Sequence, residues 1–312
     1  MIHMIVARKA LFVLIFLVCF TGFLSPPTAL TLGILYGLIL SNPLPDEDHT
    51  GARLLLQVSV VGLGFGMNLH EVLKVGRSGF LYTALGIAFA ILIGLALGKL
   101  LEVHGNSSYL ITTGTAICGG SAIAAIAPIL HASAEEIAVS LGTIFVLNSI
   151  ALLIFPPLGH YLRLTQTQFG LWAALAIHDT SSVVGAASRY GTTALMVGTT
   201  VKLARALWIV PLALATAAIK HSKSKIHLPW FILFFFLAAV VNTYLSAFFA
   251  ASKILFQFGR LGLTATLFLI GSGISGPVLQ RVGWRPLAQG ILLWLVVGLI
   301  SLYFIRTGWI GL

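Results

Sequence analysis

Charged residues are scarce in this chain. Only 8% of its 312 residues are Asp, Glu, Lys or Arg, whereas soluble domains carry about 25%. Acidic residues are scarcer still, with 8 Asp and Glu against 18 Lys and Arg. The low charge excludes an ordinary soluble domain. The basic excess does not indicate nucleic-acid binding, because the basic residues are scattered over short loops and form no stripe.

Cysteines are also few, and no cluster of metal-ligating residues stands out. Cys19 and Cys118 both lie in apolar runs, so neither a disulfide framework nor a zinc-type cluster can be derived from their spacing. We therefore expect no cofactor, no metal ion and no catalytic residues.

Long apolar runs are abundant, since hydrophobic residues make up 58% of the chain. Runs near the length of a bilayer crossing predict helices, because a barrel would show short alternating segments. The predicted fold is an all-α polytopic membrane protein with about 10–11 transmembrane helices. The N-terminal runs 11–24 and 28–40 fit a tight hairpin, two short helices or one kinked helix. The other predicted spans are 51–67, 79–101, 109–130, 137–160, 168–189, 193–219, 229–249, 254–275 and 286–304.

The Lys and Arg residues of short loops predict the orientation. Ten fall on one side of the predicted spans and five, or six with Arg260, on the other. The positive-inside bias then places the first side, and with it the N-terminus, in the bacterial cytoplasm. The first side carries Arg8, Lys9, Arg53, Lys99, Arg163, Lys220, Lys223, Lys225, Arg281 and Arg285.

A glycine-rich pattern that occurs twice in the sequence indicates a duplicated architecture within one transmembrane domain, 1–312. The glycine-rich residues 61–68, followed by Gly76, recur as 268–275, followed by Gly283, at a constant offset. An odd number of spans separates the copies, so they are expected to run in opposite directions, as inverted repeats do. We expect N-terminal hairpin or scaffold helices over 1–50, a first repeat-like half over 51–160 and a second over 168–312.

The stretch 112–128 is apolar, yet small residues interrupt it. Gly119 and Gly120 each cost a helix roughly 1 kcal/mol relative to alanine. A backbone group that loses its helical partner in hydrocarbon needs another one. We therefore expect an interrupted helix at the membrane centre, a usual substrate site of secondary transporters. Ser121 with the glycine amides would form an anion cradle. Cys118 beside them is counted among the candidate substrate-binding residues, with packing as its expected contribution.

A second interruption begins at His178 and Asp179, within an apolar run. Charge at mid-membrane is costly and indicates function by default, and histidine exchanges a proton near neutral pH. One interpretation is a proton or substrate site, and the other is a hydrogen-bonded pair that satisfies loose backbone groups. By the span count the two interruptions run in the same direction, so they are not expected to be symmetry mates. The hydroxyl-rich residues that complete the second candidate site are Thr180, Ser181 and Ser182.

Two cations and one amide complete the candidate site. Lys202 and Arg205 are three residues apart and share a helix face near mid-depth. They would be counter-ions to Asp179 or would bind a substrate anion, and two cations for one acid favour an anionic substrate. Asn148, in the middle of the 137–160 span, is either part of the site or a helix–helix hydrogen bond.

Four segments resemble the YeiH-type family, labelled sulfate exporters: 114–125, 135–138, 177–179 and 201–205. The resemblance covers most of the chain from about residue 28. More distantly, 64–68 and 118–127 resemble bile-acid/sodium symporters and cation/proton antiporters. The resemblance implies inverted repeats, two interrupted helices crossing at mid-membrane, and a core domain that moves against a scaffold. The family label implies an anion carrier.

The sequence thus predicts an inner-membrane secondary transporter that exports a small anion such as sulfate, an organic sulfonate or a carboxylate, with proton coupling through His178 or Asp179. The alternatives are a cation/proton antiporter that uses Asp179, an intramembrane hydrolase that uses Ser275 or Cys118, and a non-transporting subunit. The expected partners are the anionic solute, a coupling proton or cation, the lipid bilayer and, as an option, a second copy in a homodimer, but no nucleic acid.

Overall fold

The computed structural model describes residues 2–40, 45–103, 106–220, 230–273 and 283–311. Ser275 and the end of the second glycine-rich copy, 274–275, lie outside these residues. The described part contains fourteen α-helices and two short 3₁₀ turns, and no strand. The helices are α1 (Ile2–Val18), α2 (Pro26–Leu40), α3 (Pro45–Gly64), α4 (Leu69–Leu100), α5 (Ser107–Ala116), α6 (Gly120–Ile126), α7 (Ala134–Tyr161), α8 (Gln166–Ala176), α9 (Thr180–Tyr190), α10 (Thr192–Ala206), α11 (Ile209–Lys220), α12 (Trp230–Tyr244), α13 (Phe249–Ser272) and α14 (Trp284–Arg306).

Five helical segments of the described chain are long and apolar enough to cross a membrane. They are Tyr82–Leu100, Glu135–Tyr161, Thr192–Lys220, Phe249–Ser272 and Trp284–Arg306. Shorter apolar helices lie at Thr28–Leu40, Leu54–Gly64 and Trp230–Tyr244. The prediction of an all-α polytopic membrane protein is confirmed.

The N-terminal apolar runs form two separate helices that pack antiparallel. The Tyr36 hydroxyl of α2 donates to the backbone oxygen of Arg8 in α1 at 2.8 Å. The rings of Phe12 and Tyr36 meet edge to face with centroids 5.3 Å apart. The start of α1 therefore lies beside the end of α2, which excludes one kinked helix.

The chain divides into two compact units, each built from segments distant in sequence. Unit 1 comprises residues 1–72 and 230–277, and unit 2 comprises 73–229 and 278–312. Each unit takes helices from both predicted halves of the sequence, 51–160 and 168–312.

Glycines allow the close helix packing of unit 1. A β-carbon built on Gly62 of α3 would lie only 2.8 Å from the Cα of Gly259 in α13. Further along, Gly262 of α13 lies against Leu55 of α3. Later residues of one helix meet earlier residues of the other, so α3 and α13 are antiparallel. This is the relative direction predicted for the two glycine-rich copies.

In unit 2, α5 and α6 form a helical hairpin, here called hairpin 1 (residues 107–126). Its two arms are joined by a turn at 117–119. A β-carbon on Gly114 of α5 would lie 3.1 Å from the Ile123 side chain of α6. The chain then returns to the start of α5, where the Asn106 amide donates to the Glu136 carboxylate of α7 at 2.7 Å. Hairpin 1 therefore leaves on the side from which it enters.

Helices α8 and α9 form hairpin 2 (residues 166–190) in the same way, with a turn at 177–179. Tyr190 at the end of α9 lies beside the start of α8. Its hydroxyl donates to the Leu164 oxygen at 2.6 Å, and its ring stacks on Phe169 at 3.8 Å. An uninterrupted helix would separate positions 169 and 190 by roughly 30 Å.

These hairpins correct two details of the predicted topology. The segments 109–130 and 168–189 turn back instead of crossing. Because α7 crosses between them, the hairpins enter unit 2 from opposite ends, and their equivalent arms run in opposite directions. The expectation that the two interruptions run in the same direction was therefore wrong. Hydropathy does not register whether an apolar segment reverses at a short turn.

Candidate functional site

The tips of the two hairpins meet inside unit 2. A β-carbon on Gly119, at the tip of hairpin 1, would lie 3.5 Å from the Cα and Cβ of Asp179, at the tip of hairpin 2. The Asp179 amide donates to the Asn148 side-chain oxygen at 3.1 Å, and Ile144 of α7 also packs against Gly119. The sequence-predicted residues of both interruptions and Asn148 are thus brought together.

Asp179 serves as the N-cap of α9. Its carboxylate accepts hydrogen bonds from the Ser181 amide at 2.9 Å, from the Ser182 amide at 3.4 Å and from the Ser181 hydroxyl. Such a cap satisfies the first free amides of a helix and complements its dipole. The backbone-satisfying interpretation of Asp179 therefore holds in this conformation. Thr180, Ser181 and Ser182 form the first turn of α9 and are all buried.

The tip of hairpin 1 has no comparable cap. Gly119 has φ +67° and ψ −127°, a conformation that glycine adopts without steric cost. No side chain caps α6, and the amides of Gly120 and Ser121 have no acceptor within the described chain. Cys118 is buried, whereas Ser121 is half-buried. The two tips are therefore chemically unequal, because one carries a carboxylate and the other exposes bare amides.

Lys202 and Arg205 of α10 bind the carboxyl ends of the first arms of both hairpins. Lys202 Nζ donates to the Ile177 oxygen at 2.7 Å and approaches the Ala174 oxygen at 3.5 Å. Arg205 donates through Nε to the Ala116 oxygen at 2.7 Å and through a terminal nitrogen to the Leu175 oxygen at 2.5 Å. Both cations are completely or almost completely buried, at 0% and 1% exposure.

The structure gives the two cations contacts that neither sequence-based interpretation named. In the described residues, neither Lys202 nor Arg205 forms an ion pair with Asp179. They bind main-chain oxygens, which carry the negative end of each helix dipole. The spacing of the two residues predicted their shared face correctly, but it carried no information about which oxygens they contact.

His178 is the least satisfied group of the site. It is 1% exposed, and neither ring nitrogen has a hydrogen-bond partner among the described residues. The Asn148 side-chain nitrogen is likewise buried without an acceptor. Buried polar groups of native proteins are nearly always paired with protein, water or ligand. In the described residues, the unpaired nitrogens of His178 and Asn148 both lie where the hairpin tips meet.

Sequence reasoning missed Trp294, which lies beside the site, and Gln289, which holds α14 against the start of hairpin 1. The ring of Trp294 in α14 lies 6.4 Å from that of His178, and its indole nitrogen is buried without a partner in the described chain. Gln289 of α14 donates to the Gly94 oxygen at 3.0 Å and to the Thr112 hydroxyl at 3.1 Å, which ties α14 to α4 and α5. A glutamine within an apolar run was a usable signal, whereas a tryptophan in such a run was not.

A cavity of about 530 Å³ lies beside the tip of hairpin 2. Leu175 and Arg205 line it on the side of the site, and α4 and α14 line most of the remainder. A β-carbon on Gly86 of α4, which also lines the cavity, would meet no atom of the described residues within 4 Å. No group of three or more His, Cys, Asp or Glu residues that could hold a metal ion is found among the residues that the structure describes.

The fold and the site define a polytopic α-helical membrane protein in which two opposed helical hairpins meet around buried polar groups. A family model described as "Conserved hypothetical protein 698" matches residues 4–303. The chain belongs to this family, which is the YeiH-type family, also called UPF0324. The predicted resemblance is thereby confirmed.

Curated relatives match along nearly their full length. A UPF0324 membrane protein of Geobacter sulfurreducens is 46% identical over 302 residues, covering 97% of each chain. A UPF0324 membrane protein of Bacteroides thetaiotaomicron is 51% identical over 288 residues, covering 91% of this chain and 87% of the relative. A third, from Bdellovibrio bacteriovorus, is 47% identical over 309 residues, covering 97% and 95%. No solved structure matches the chain.

Proposed function

We propose that this protein is a secondary transporter that binds a small anion where the hairpin tips meet and exports it by alternating access. The observation that carries the proposal is the pair of buried, unpaired nitrogen sites, the His178 ring and the Asn148 amide, at the contact of two interrupted helices. Interrupted helices at mid-membrane are the usual substrate sites of secondary transporters. The substrate class is sulfate, an organic sulfonate or a carboxylate.

The charge and donor balance of the site favours an anion. Lys202 and Arg205 contribute two formal positive charges, and Asp179 contributes one negative charge. The Asp179 carboxylate accepts three hydrogen bonds from hairpin 2, all at Oδ2, in its role as a helix cap. The amides of Gly120 and Ser121 and the Asn148 nitrogen are all donors. An oxyanion accepts such hydrogen bonds and a metal cation does not.

The opposed hairpins suit alternating access. Each is anchored at its own end of unit 2, so small movements of either hairpin would open the site toward one side or the other. The proton that we propose to couple to export resides on His178 or Asp179. His178 is the stronger candidate, because its ring nitrogens have no competing partner in the described structure.

We also propose a bacterial inner-membrane location with the N-terminus in the cytoplasm. The hairpins move the loop at Arg163 to the other side of the membrane from its predicted one. The Lys and Arg distribution then becomes nine against six, or seven with Arg260, and the bias toward the N-terminal side survives. A homodimer of this chain is part of the proposal.

The test is uptake by inside-out vesicles or proteoliposomes containing the purified protein. Radiolabelled sulfate, an alkyl sulfonate and a short carboxylate are each presented with and without a pH gradient. At least one anion is expected to accumulate when the gradient is present, and empty liposomes provide the baseline. Flux that requires Na⁺ or K⁺ and ignores the anion would instead favour the cation/proton antiporter. Absence of any flux would overturn the proposal.

A further inference from the structure

The carboxyl ends of α5 and α8 both carry buried carbonyl groups that need hydrogen-bond partners from outside their helix. The last carbonyl groups of a helix have no partner within the helix, and they form the negative end of its dipole. In the hairpin tips these groups are buried, so each must be paired. The carbonyls of Ala116, Leu175 and Ile177 are all paired by side chains of α10.

Carbonyls at the ends of broken helices are, in many transporters, the ligands of a coupling Na⁺ ion or proton. Here the same kind of oxygen is bound by cations that belong to the chain itself. We propose that the Lys202 ammonium permanently occupies the place of a bound monovalent metal ion at the tip of hairpin 2, so that the protein assembles this tip without Na⁺ or K⁺. The inference goes beyond the proposed function, because it concerns folding and ion binding and requires no transport.

Lys202 is the replaceable cation of the pair. Its ammonium lies 2.7 Å from the Ile177 oxygen and 3.5 Å from the Ala174 oxygen, which Arg205 also contacts at 3.3 Å; both oxygens belong to hairpin 2. Carbonyl oxygens at the end of an interrupted helix also coordinate Na⁺. Removal of the ammonium would leave the Ile177 oxygen without its donor.

Arg205 has a different task, because its guanidinium spans the two hairpins. It donates to Ala116 in hairpin 1 and to Leu175 in hairpin 2. A spherical ion cannot reproduce this fork of donors. The test is therefore built on Lys202 and leaves Arg205 in place.

The experiment measures the apparent melting temperature of the full-length protein in detergent, in choline chloride, NaCl and KCl of equal concentration. Wild type is expected to melt at the same temperature in all three salts. Lys202→Ala is expected to melt lower in choline and to regain about 3 °C in NaCl, in a concentration-dependent manner, because a ligand that binds only the folded state stabilises it. Lys202→Arg retains a cation and is expected to show no response to Na⁺.

Lys99→Ala is the matched control, because Lys99 is an exposed lysine at the end of α4. It is expected to behave as wild type in every salt. Stabilisation of wild type by Na⁺ or K⁺ would overturn the proposal, and so would a folded Lys202→Ala protein that is indifferent to both ions. Recovery of folded Lys202→Ala only in NaCl would support it, and failure to fold in every salt would count against it. Chloride is constant throughout, so none of these results depends on anion transport.

Discussion

Gly119 and Asp179 touch across the two hairpin tips: a β-carbon on Gly119 would lie 3.5 Å from both Cα and Cβ of Asp179. The same glycine has a positive φ of +67°. Gly119 therefore allows the chain to reverse within hairpin 1, and its missing side chain leaves space for the tip of hairpin 2. This contact joins two interruptions that are separate in sequence into one site. The integrity of the site should therefore depend on Gly119 more than on any side chain.

Replacement of Gly119 by alanine should impair the site beyond its effect on stability. The positive φ is expected to cost about 1–3 kcal/mol of unfolding free energy. Gly308→Ala is the matched control, because Gly308 has φ +79° and open space around its β-carbon position. Both variants should lose stability in chemical denaturation, but only Gly119→Ala should lose anion-dependent thermal stabilisation. Equal anion responses in the two variants would show that the tip contact is not part of the site.

Substitutions of Asp179 should separate its role as the N-cap of α9 from a role in proton coupling. Asparagine is as good an N-cap as aspartate, so Asp179→Asn should retain stability within about 0.5 kcal/mol, whereas Asp179→Ala should lose about 0.5–2 kcal/mol. If the carboxylate carries the coupled proton, Asp179→Asn should bind the anion but lose the response of its flux to a pH gradient. Retention of that response in a stable Asp179→Asn protein would assign the coupling to His178 instead.

Much of the fold followed from composition and periodicity, because apolar runs and small-residue interruptions are local properties of the sequence. Gly119, Gly120, His178 and Asp179 were identified as breaks for this reason. The reversal of the chain at these breaks was not predictable, since an arm that returns is as apolar as one that crosses. The carbonyl partners of Lys202 were equally hidden, because every residue has a carbonyl and only the fold selects which ones are left unpaired.

Arg205 should be irreplaceable by lysine. Its guanidinium binds Ala116 of hairpin 1 at 2.7 Å and Leu175 of hairpin 2 at 2.5 Å, and one ammonium cannot occupy both positions. Arg205→Lys should therefore lose about 1–3 kcal/mol for each buried carbonyl left unpaired. Arg189→Lys, at an exposed position at the end of α9, should change stability by less than about 0.5 kcal/mol. Similar denaturation midpoints for the two variants would contradict the bridging role.

Unit 1 provides a test of the fold that does not involve the site. A β-carbon on Gly62 would lie 2.8 Å from the Cα of Gly259, whereas one on Gly51 of the same helix would meet no described atom within 4 Å. Gly62→Ala should therefore destabilise the protein by about 1–3 kcal/mol, because the two backbones must move apart. Gly51→Ala should be neutral or stabilising by up to about 1 kcal/mol through helix propensity. Thermal unfolding in detergent compares the two, and equal effects would place the contact between α3 and α13 elsewhere.

Asn148 should determine the sign of the charge that the site accepts. Its side-chain oxygen accepts a hydrogen bond from the Asp179 amide at 3.1 Å, and its buried nitrogen has no acceptor in the described chain. Asn148→Asp keeps the acceptor, removes the donor and adds a negative charge next to Asp179. Anion affinity, measured by thermal shift or calorimetry, should fall at least about tenfold, which corresponds to 1.4 kcal/mol.

The neighbouring Ser149→Ala isolates this effect, because within the described residues the Ser149 hydroxyl donates to the Phe145 oxygen of its own helix, at 2.9 Å, and to no other group. It should therefore leave anion affinity unchanged. Asn148→Ala, which removes the donor without adding charge, should show an intermediate loss. Two results would identify the ion bound at the hairpin tips as a cation. In the first, Asn148→Asp binds the anion as tightly as wild type. In the second, Asn148→Asp gains stability from Na⁺ while wild type gains none from anions. The unpaired nitrogen would then have to point toward water, because it cannot ligate a metal ion.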